Sequence, residues 1–267
     1  STLPGRIDYS GGCDSDNETA VGEDNNTVIF DALPDGTYED CKISVTSSGV
    51  VSDNLSVNSF KIDTTAPTLD NVTIASNNDV TTLAKIGDRI TLTFNSSEPI
   101  DEPTVRIAGQ NAQESGSGTS WSAYYDMRGI NSESEGLVSL SVSFDDTTGN
   151  AGIVVDNTTD GSAVFFDRTP PKVNEETAVP NPTNDNTPDY TFSSNEAGTI
   201  TYGGACGSST SSAESSGDKT VTLTQPDNST PFSDGTYGNC TIAVTDSAGN
   251  VSDVLDVTQF TVSVPPY

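Results

Sequence analysis

The segment PDGTYEDCKISVTSSGVVSDNLSVNSFKI (residues 34–62) returns near the other end of the chain as SDGTYGNCTIAVTDSAGNVSDVLDVTQFTV (233–262). Inside it, Ile43 and Val45, like Ile242 and Val244, occupy alternate positions. That is the period at which side chains of a β-strand share one face. Upstream, RIDYSGGC (6–13) matches TITYGGAC (199–206), so the repeat covers residues 4–62 and 197–262. Tyr9 aligns with Tyr202, Cys13 with Cys206, Tyr38 with Tyr237 and Cys41 with Cys240. The second copy carries one extra residue at the turn near Asn250.

Between the copies lies a different but related stretch, bounded by DTTAP (63–67) and DRTPP (167–171). Proline keeps its neighbour extended and is excluded from central strands, so these motifs mark joints. They divide the chain into an incomplete first domain (1–66), a middle domain (67–170) and a last domain (171–267) of the first one's subtype. In the middle domain Ile90, Leu92 and Phe94 alternate, as do Val105 and Ile107, then Trp121, Ala123 and Tyr125. Val138, Leu140, Val142 and Phe144 follow, then Val164 and Phe166. The last domain repeats the scheme with Tyr190 and Phe192, Ile200 and Tyr202, Val221 and Leu223, Ile242 and Val244, and Phe260 and Val262. About seven short strands in roughly 100 residues, with frequent turn signals, predict an all-β fold of tandem immunoglobulin-like Greek-key β-sandwiches. Trp121 is assigned to the core because it sits in an alternating row, in preference to a ligand-stacking role. The Ser- and Gly-rich stretches 109–119 and 206–219 are expected to be flexible loop tips.

The chain of 267 residues has 39 acidic and 10 basic side chains, no histidine and a formal charge of −29. Such a charge repels phosphate backbones and anionic lipid, which argues against nucleic-acid and membrane-surface partners. No apolar stretch reaches the roughly 20 residues of a membrane-spanning helix. The start, STLPGRIDY, lacks the features of a signal peptide. Targeting and anchoring segments are therefore expected outside this fragment.

The joints DTTAP and DRTPP, the DGTY motifs (35–38 and 234–237), DTTGN (146–150), DSAGN (246–250), SEPI (97–100) and TTDGSAVFFD (158–167) together resemble bacterial immunoglobulin-like repeats of giant surface proteins. The resemblance spans the whole chain and is specific for architecture. It implies a non-enzymatic stalk of an extracellular adhesin, often stiffened by Ca²⁺, whose partners are neighbouring repeats. A subunit of a surface filament or surface layer, assembled with other copies by strand sharing, is the alternative. The first domain begins opposite residue 194 of the last and so lacks the first two strands. Either it is excised from a longer array or it borrows strands from a neighbouring chain.

Cys206 continues the row of Ile200 and Tyr202, and Cys240 that of Ile242 and Val244. Both face the core on the third and sixth strands, which adjoin in one sheet of such a sandwich. Disulfides Cys13–Cys41 and Cys206–Cys240 are predicted, each worth roughly 3–4 kcal/mol in the chain-entropy model. They imply an oxidising, extracytoplasmic location. A zinc site is the competing reading, but paired CxxC spacing and histidine are both absent.

Paired carboxylates abound, yet none sits in a catalytic motif, and no histidine is present to serve as a base. Placed on the predicted topology, the acids converge at the pole where each linker arrives. Asp63, Glu98, Asp146 and Asn150 meet there in the middle domain, and Asp167, Glu196, Asp246 and Asn250 in the last. Such oxygen-rich sets suit Ca²⁺, which takes six to eight oxygen ligands. The competing reading is a turn held by side-chain hydrogen bonds. The first domain has Leu3, Ser47 and Val50 at these positions and should lack the site.

Overall fold

A computed structural model describes residues 1, 3–22 and 25–265. The fold is all-β, built of immunoglobulin-like sandwiches. Among the described residues no helix is long and apolar enough to cross a membrane. The chain resolves into two compact units. One comprises residues 1–68, 96–101 and 144–153, and the other residues 69–95, 102–143 and 154–267.

Within the second unit the last repeat is a closed sandwich. Val173–Thr177, Asp189–Ser194 and Gly217–Thr222 form one sheet. Ser212–Ala213, Gly198–Gly203, Thr241–Thr245 and Leu255–Asp256 form the other. Gly235–Tyr237 pairs with Phe260–Val262. The alternating rows read from the sequence turn inward together: Tyr190, Phe192, Leu223, Val244 and Phe260 are 0% exposed. Burying side chains of this size contributes about 1.5–3 kcal/mol each, which secures the register, because a one-residue slip would send each row to solvent. Tyr202 is only partly buried at the rim.

The middle segment places Gln113–Ser117, Ser120–Asp126, Arg89–Ser96 and Leu69–Ser76 in one sheet. Gln110–Asn111, Thr104–Ile107 and Leu140–Ser143 form a second. Ile90 stands opposite Tyr125, Leu92 opposite Ala123 and Phe94 opposite Trp121. Trp121, at the end of its row, is partly buried, and its indole N–H donates to the Gly118 carbonyl at 3.1 Å. The stretch 109–119 is not a flexible tip: most of it is paired strand, with Gly118 at φ +62 in the turn. Backbone pairing needs no apolar side chains, so Ser- and Gly-rich composition hid it. In 206–219 the same holds for Ser212–Ala213, which pairs with Gly198–Gly203, and for Gly207, bridged to Thr224.

The first repeat has the second sheet of this scheme but not the first. Thr19–Ala20, Gly5–Ser10, Lys42–Ser47 and Val50–Val51 line up, with Leu55–Ser56 also on Lys42–Ser47, and Gly36–Tyr38 pairs with Phe60–Ile62. TVIF (27–30) aligns with TVTL (220–223). In the last repeat that segment pairs with Asp189–Ser194; in the first no such partner strand exists among the described residues, and 27–30 joins no sheet. Ile43, Val45 and Phe60 are accordingly only half-buried, where Ile242, Val244 and Phe260 are fully buried. Phe30 stacks on Phe60 at 6.0 Å and Phe60 on Tyr38 at 5.2 Å, an aromatic cluster standing in for part of the missing core.

Both predicted disulfides are present. Each cysteine flanks one of two paired strands and is buried, and the Cα atoms lie 5.5 Å apart for Cys13–Cys41 and 5.1 Å apart for Cys206–Cys240. The DGTY motif has a local purpose in both copies. The Tyr38 hydroxyl donates to the Pro34 carbonyl at 2.8 Å, and that of Tyr237 to Ser233 at 2.9 Å, closing the corner before the sixth strand. Asp35 then grips the outgoing linker, accepting from the Thr64 N–H and the hydroxyls of Thr64 and Thr65.

Candidate metal centres

Two turns of identical construction form the floor of each candidate centre. In DTTGN the Asp146 N–H donates to the Asn150 carbonyl at 3.0 Å, and the Gly149 N–H to the Asp146 carbonyl at 3.2 Å. DSAGN repeats both bonds with Asp246, Asn250 and Gly249 at the same distances. Gly149 and Gly249 take φ of +96 and +89, a region in which a side chain is strained. In the first repeat the aspartate is absent and the loop is one residue shorter. Ser48 and Gly49 both take positive φ there, and Ser47 pairs with Val50 across a tight hairpin. The first repeat thus has a plain turn, one residue shorter, where the other two have an acid-bearing loop.

The turns hold their aspartates by hydrogen bonds. Asp146 Oδ1 accepts from the Thr148 N–H, the Thr148 hydroxyl and the Asn150 N–H, at 2.8, 2.8 and 2.9 Å. Asp146 is 1% exposed. Burial opposes its ionisation, but these bonds and that from the Asn150 amide outweigh it and hold the carboxyl far below the usual range. Asp246 Oδ1 accepts from the Asn250 N–H at 2.9 Å.

Two further carboxylates reach each aspartate. Glu98 follows Arg89–Ser96, and the Ser96 hydroxyl donates to the Glu98 carbonyl; Glu196 follows Asp189–Ser194, and the Ser194 hydroxyl donates to the Glu196 carbonyl. The linkers supply Asp63 and Asp167. Oxygen atoms of Asp63, Glu98 and Asp146 lie within 4.8 Å of one another, and so do those of Asp167, Glu196 and Asp246. The six acids placed together by topology are together in space. All-oxygen donors at this spacing suit a hard divalent cation.

Asn150 and Asn250 tie the linkers to the turns. The Asn150 side-chain N–H donates to the Asp63 carbonyl at 3.0 Å and to Asp146 Oδ2 at 2.7 Å. Asn250 does the same to the Asp167 carbonyl at 3.1 Å and Asp246 Oδ2 at 2.9 Å. Each asparagine thus pins the linker backbone to the turn through its side-chain N–H groups. The linkers have a second clamp as well. Asp35 fulfils it at the first joint; at the second, Glu135 accepts from the Arg168 N–H and the Thr169 hydroxyl. The Asn78 amide also donates to the Ala248 carbonyl at 2.9 Å, tying the middle segment to the DSAGN turn. Sequence reasoning missed Asp35, Glu135 and Asn78, because a clamp on the backbone leaves no spacing signature.

The sequence matches no protein family and no curated protein. Among solved structures, the D00-D0 domain of intimin is similar at 14% identity over 70% of this chain and 99% of that one, with a TM-score of 0.32. The major pilin subunit BcpA of Bacillus cereus is similar at 13% identity over 98% of this chain and 91% of that one, with a TM-score of 0.22. Likenesses this distant leave the functional reading to the chain's own residues.

The two centres differ in one respect. At the first, Lys61 Nζ lies 2.6 Å from Asp63 Oδ2, and the three acids hold the ammonium above its usual pKa, the Asp63 hydrogen bond foremost. The last centre has Phe165 at the matching position. There burial, followed by repulsion from neighbouring carboxylates, raises the pKa of both Asp167 and Glu196. The last centre therefore carries uncompensated charge and should take a divalent cation more tightly. Lys61→Met should tighten Ca²⁺ binding at the first centre roughly fivefold or more and leave the last unchanged. Calorimetric titration of both proteins checks this; an unchanged first-site affinity would show that Lys61 does not compete with the ion.

Proposed function

We propose that the chain is a non-enzymatic, extracellular extension stalk of a surface adhesin, in which Ca²⁺ bound at successive linker poles stiffens the joints. The observation that carries this reading is the duplicate construction: two different sandwiches present three carboxylates around a linker whose carbonyl an asparagine already holds. A fold alone has no use for clustered like charges, whereas a joint set by an ion does. Ca²⁺ would be held by Asp63, Glu98 and Asp146, and by Asp167, Glu196 and Asp246. It would neutralise their repulsion and brace the linker against the sandwich that follows. The disulfides support an oxidising, extracytoplasmic setting. The protein clamps on both linkers support joints that transmit orientation, not floppy tethers.

The test is small-angle scattering of the whole chain with Ca²⁺ and with EDTA. Ca²⁺ should narrow the distribution of shapes. Identical curves in both conditions would reduce the acids to solvated surface and remove the stiffening role.

A further inference from the structure

The DTTGN and DSAGN turns share a backbone but are supported differently. Thr148 is exposed, and its hydroxyl donates to Asp146 Oδ1. Ala248, at the matching position, has no hydroxyl to give Asp246 and is 2% exposed. Its turn is met by the loop 77–88 of the middle segment, which belongs to the same compact unit. The Asn78 side-chain amide donates to the Ala248 carbonyl at 2.9 Å and to Asp88 Oδ2 at 2.7 Å, while Asn78 Oδ1 accepts from the Val80 N–H at 3.0 Å. With amide nitrogen and oxygen both engaged, the side chain has one orientation. Asp88 is buried and is anchored in turn by the Lys85 N–H at 2.8 Å and Lys85 Nζ at 3.0 Å. The Lys85 stem runs close beside Gly249, where an added Cβ would stand 3.5 Å from Lys85 Cε. A cleft of about 420 Å³ is lined by Asn78, Lys85 and Asp88 from the loop and by Asp246, Ala248 and Gly249 from the turn.

We propose that Asn78 and Asp88 are positioning residues for the last centre: by holding the DSAGN turn from the middle repeat, they couple ion binding at Asp167, Glu196 and Asp246 to order in residues 77–88. The ion acts on the Asp246 carboxylate and Asn78 on the Ala248 carbonyl, two residues along the same turn. A turn geometry selected by one is therefore selected for the other. The dependence is specific to this centre, because the Thr148 hydroxyl gives the DTTGN turn from within the support that Ala248 cannot give. An ion at the last centre thus braces more than the linker: it tightens the middle repeat's loop on the repeat that follows. The coupling rests on Ca²⁺ being the ligand of that centre.

Calorimetric Ca²⁺ titration of the whole chain and its Asn78→Ala variant tests the coupling, with amide exchange at residues 77–88 followed in Ca²⁺ and in EDTA. Asn78→Ala should weaken the last centre roughly fivefold or more and leave the first unchanged. In the parent chain Ca²⁺ should slow exchange at 77–88 by a similar factor, because coupling between two sites is reciprocal. Asp246→Ala should abolish that slowing while the first centre still fills, a result that a loop serving only the middle repeat's own fold would not give. Unchanged affinities in Asn78→Ala, or exchange at 77–88 indifferent to Ca²⁺ while two ions bind, would overturn the coupling and leave the ion sites standing. No saturable heat in the parent chain would remove the ion sites and the coupling together.

Discussion

Phe260→Ala should lower the unfolding free energy of the last repeat by about 3–5 kcal/mol, and Phe60→Ala that of the first by about half as much or less. The two phenylalanines occupy the same position in the repeat. Phe260 is 0% exposed, stacks on Tyr237 at 5.5 Å and meets Phe232 edge-on at 5.5 Å. Its removal leaves a cavity that a core closed by both sheets has little freedom to collapse. Phe60 is half-buried beside an open face, so less transfer energy is lost and water already reaches the gap. Urea unfolding, followed separately for each repeat by site-specific probes, reads both values. Equal losses would mean that the face of the first repeat is covered after all, and that the missing strands are replaced by something else.

That contrast also marks where the sequence was legible. The alternating rows gave up the sandwich because burial acts on side chains with period two, and in 90–94, 190–192 and 242–244 little else explains the pattern. The disulfides followed from the same rows. So did the convergence of six acids, since strand order decides which loops share a pole. Three features escaped. The pairing of Gln113–Ser117 escaped because backbone hydrogen bonds ask nothing of Ser and Gly side chains. The clamps of Asp35 and Glu135 escaped because they act across 29 to 34 positions on backbone and hydroxyl groups. The tether from Asn150 and Asn250 to the linker carbonyls escaped because an amide carries both donor and acceptor, and only the place of the linker carbonyl shows what the N–H groups reach.

Ca²⁺ should raise the stability of the chain by about 2.7 kcal/mol per centre at 100 times its dissociation constant, if the unfolded chain does not bind it. Occupation of both centres would double this effect. Without the ion the centres should respond to acid with opposite signs. Asp167 and Glu196 have raised pKa values in the folded state. Their contribution to stability is complete below the unfolded pKa and is lost as pH rises through the folded one, so acid relieves the last centre. Asp146 has a lowered pKa; its contribution is present above the unfolded value and is lost as pH falls through the folded one, so acid weakens the first centre. Glu175 and Asp227 of the last repeat have lowered pKa values and work the other way, so the relief is read as a difference. In EDTA, Asp167→Asn should stabilise the last repeat at neutral pH and lose that advantage as pH falls, and thermal melts across the acid range check it. Ca²⁺ should stabilise both centres at neutral pH and cease to do so once the carboxylates are protonated.

The most direct test of the central claim, that the two linker poles are Ca²⁺ sites, is a calorimetric Ca²⁺ titration of the whole chain beside its Asp246→Ala variant. Asp246 contributes to the last cluster alone, and its loss leaves Asp63, Glu98 and Asp146 in place. The account predicts two bound ions for the parent chain, and one for the variant with the affinity of the weaker, Lys61-bearing site. No saturable heat in the parent chain, or two ions with unchanged affinities in the variant, would contradict it.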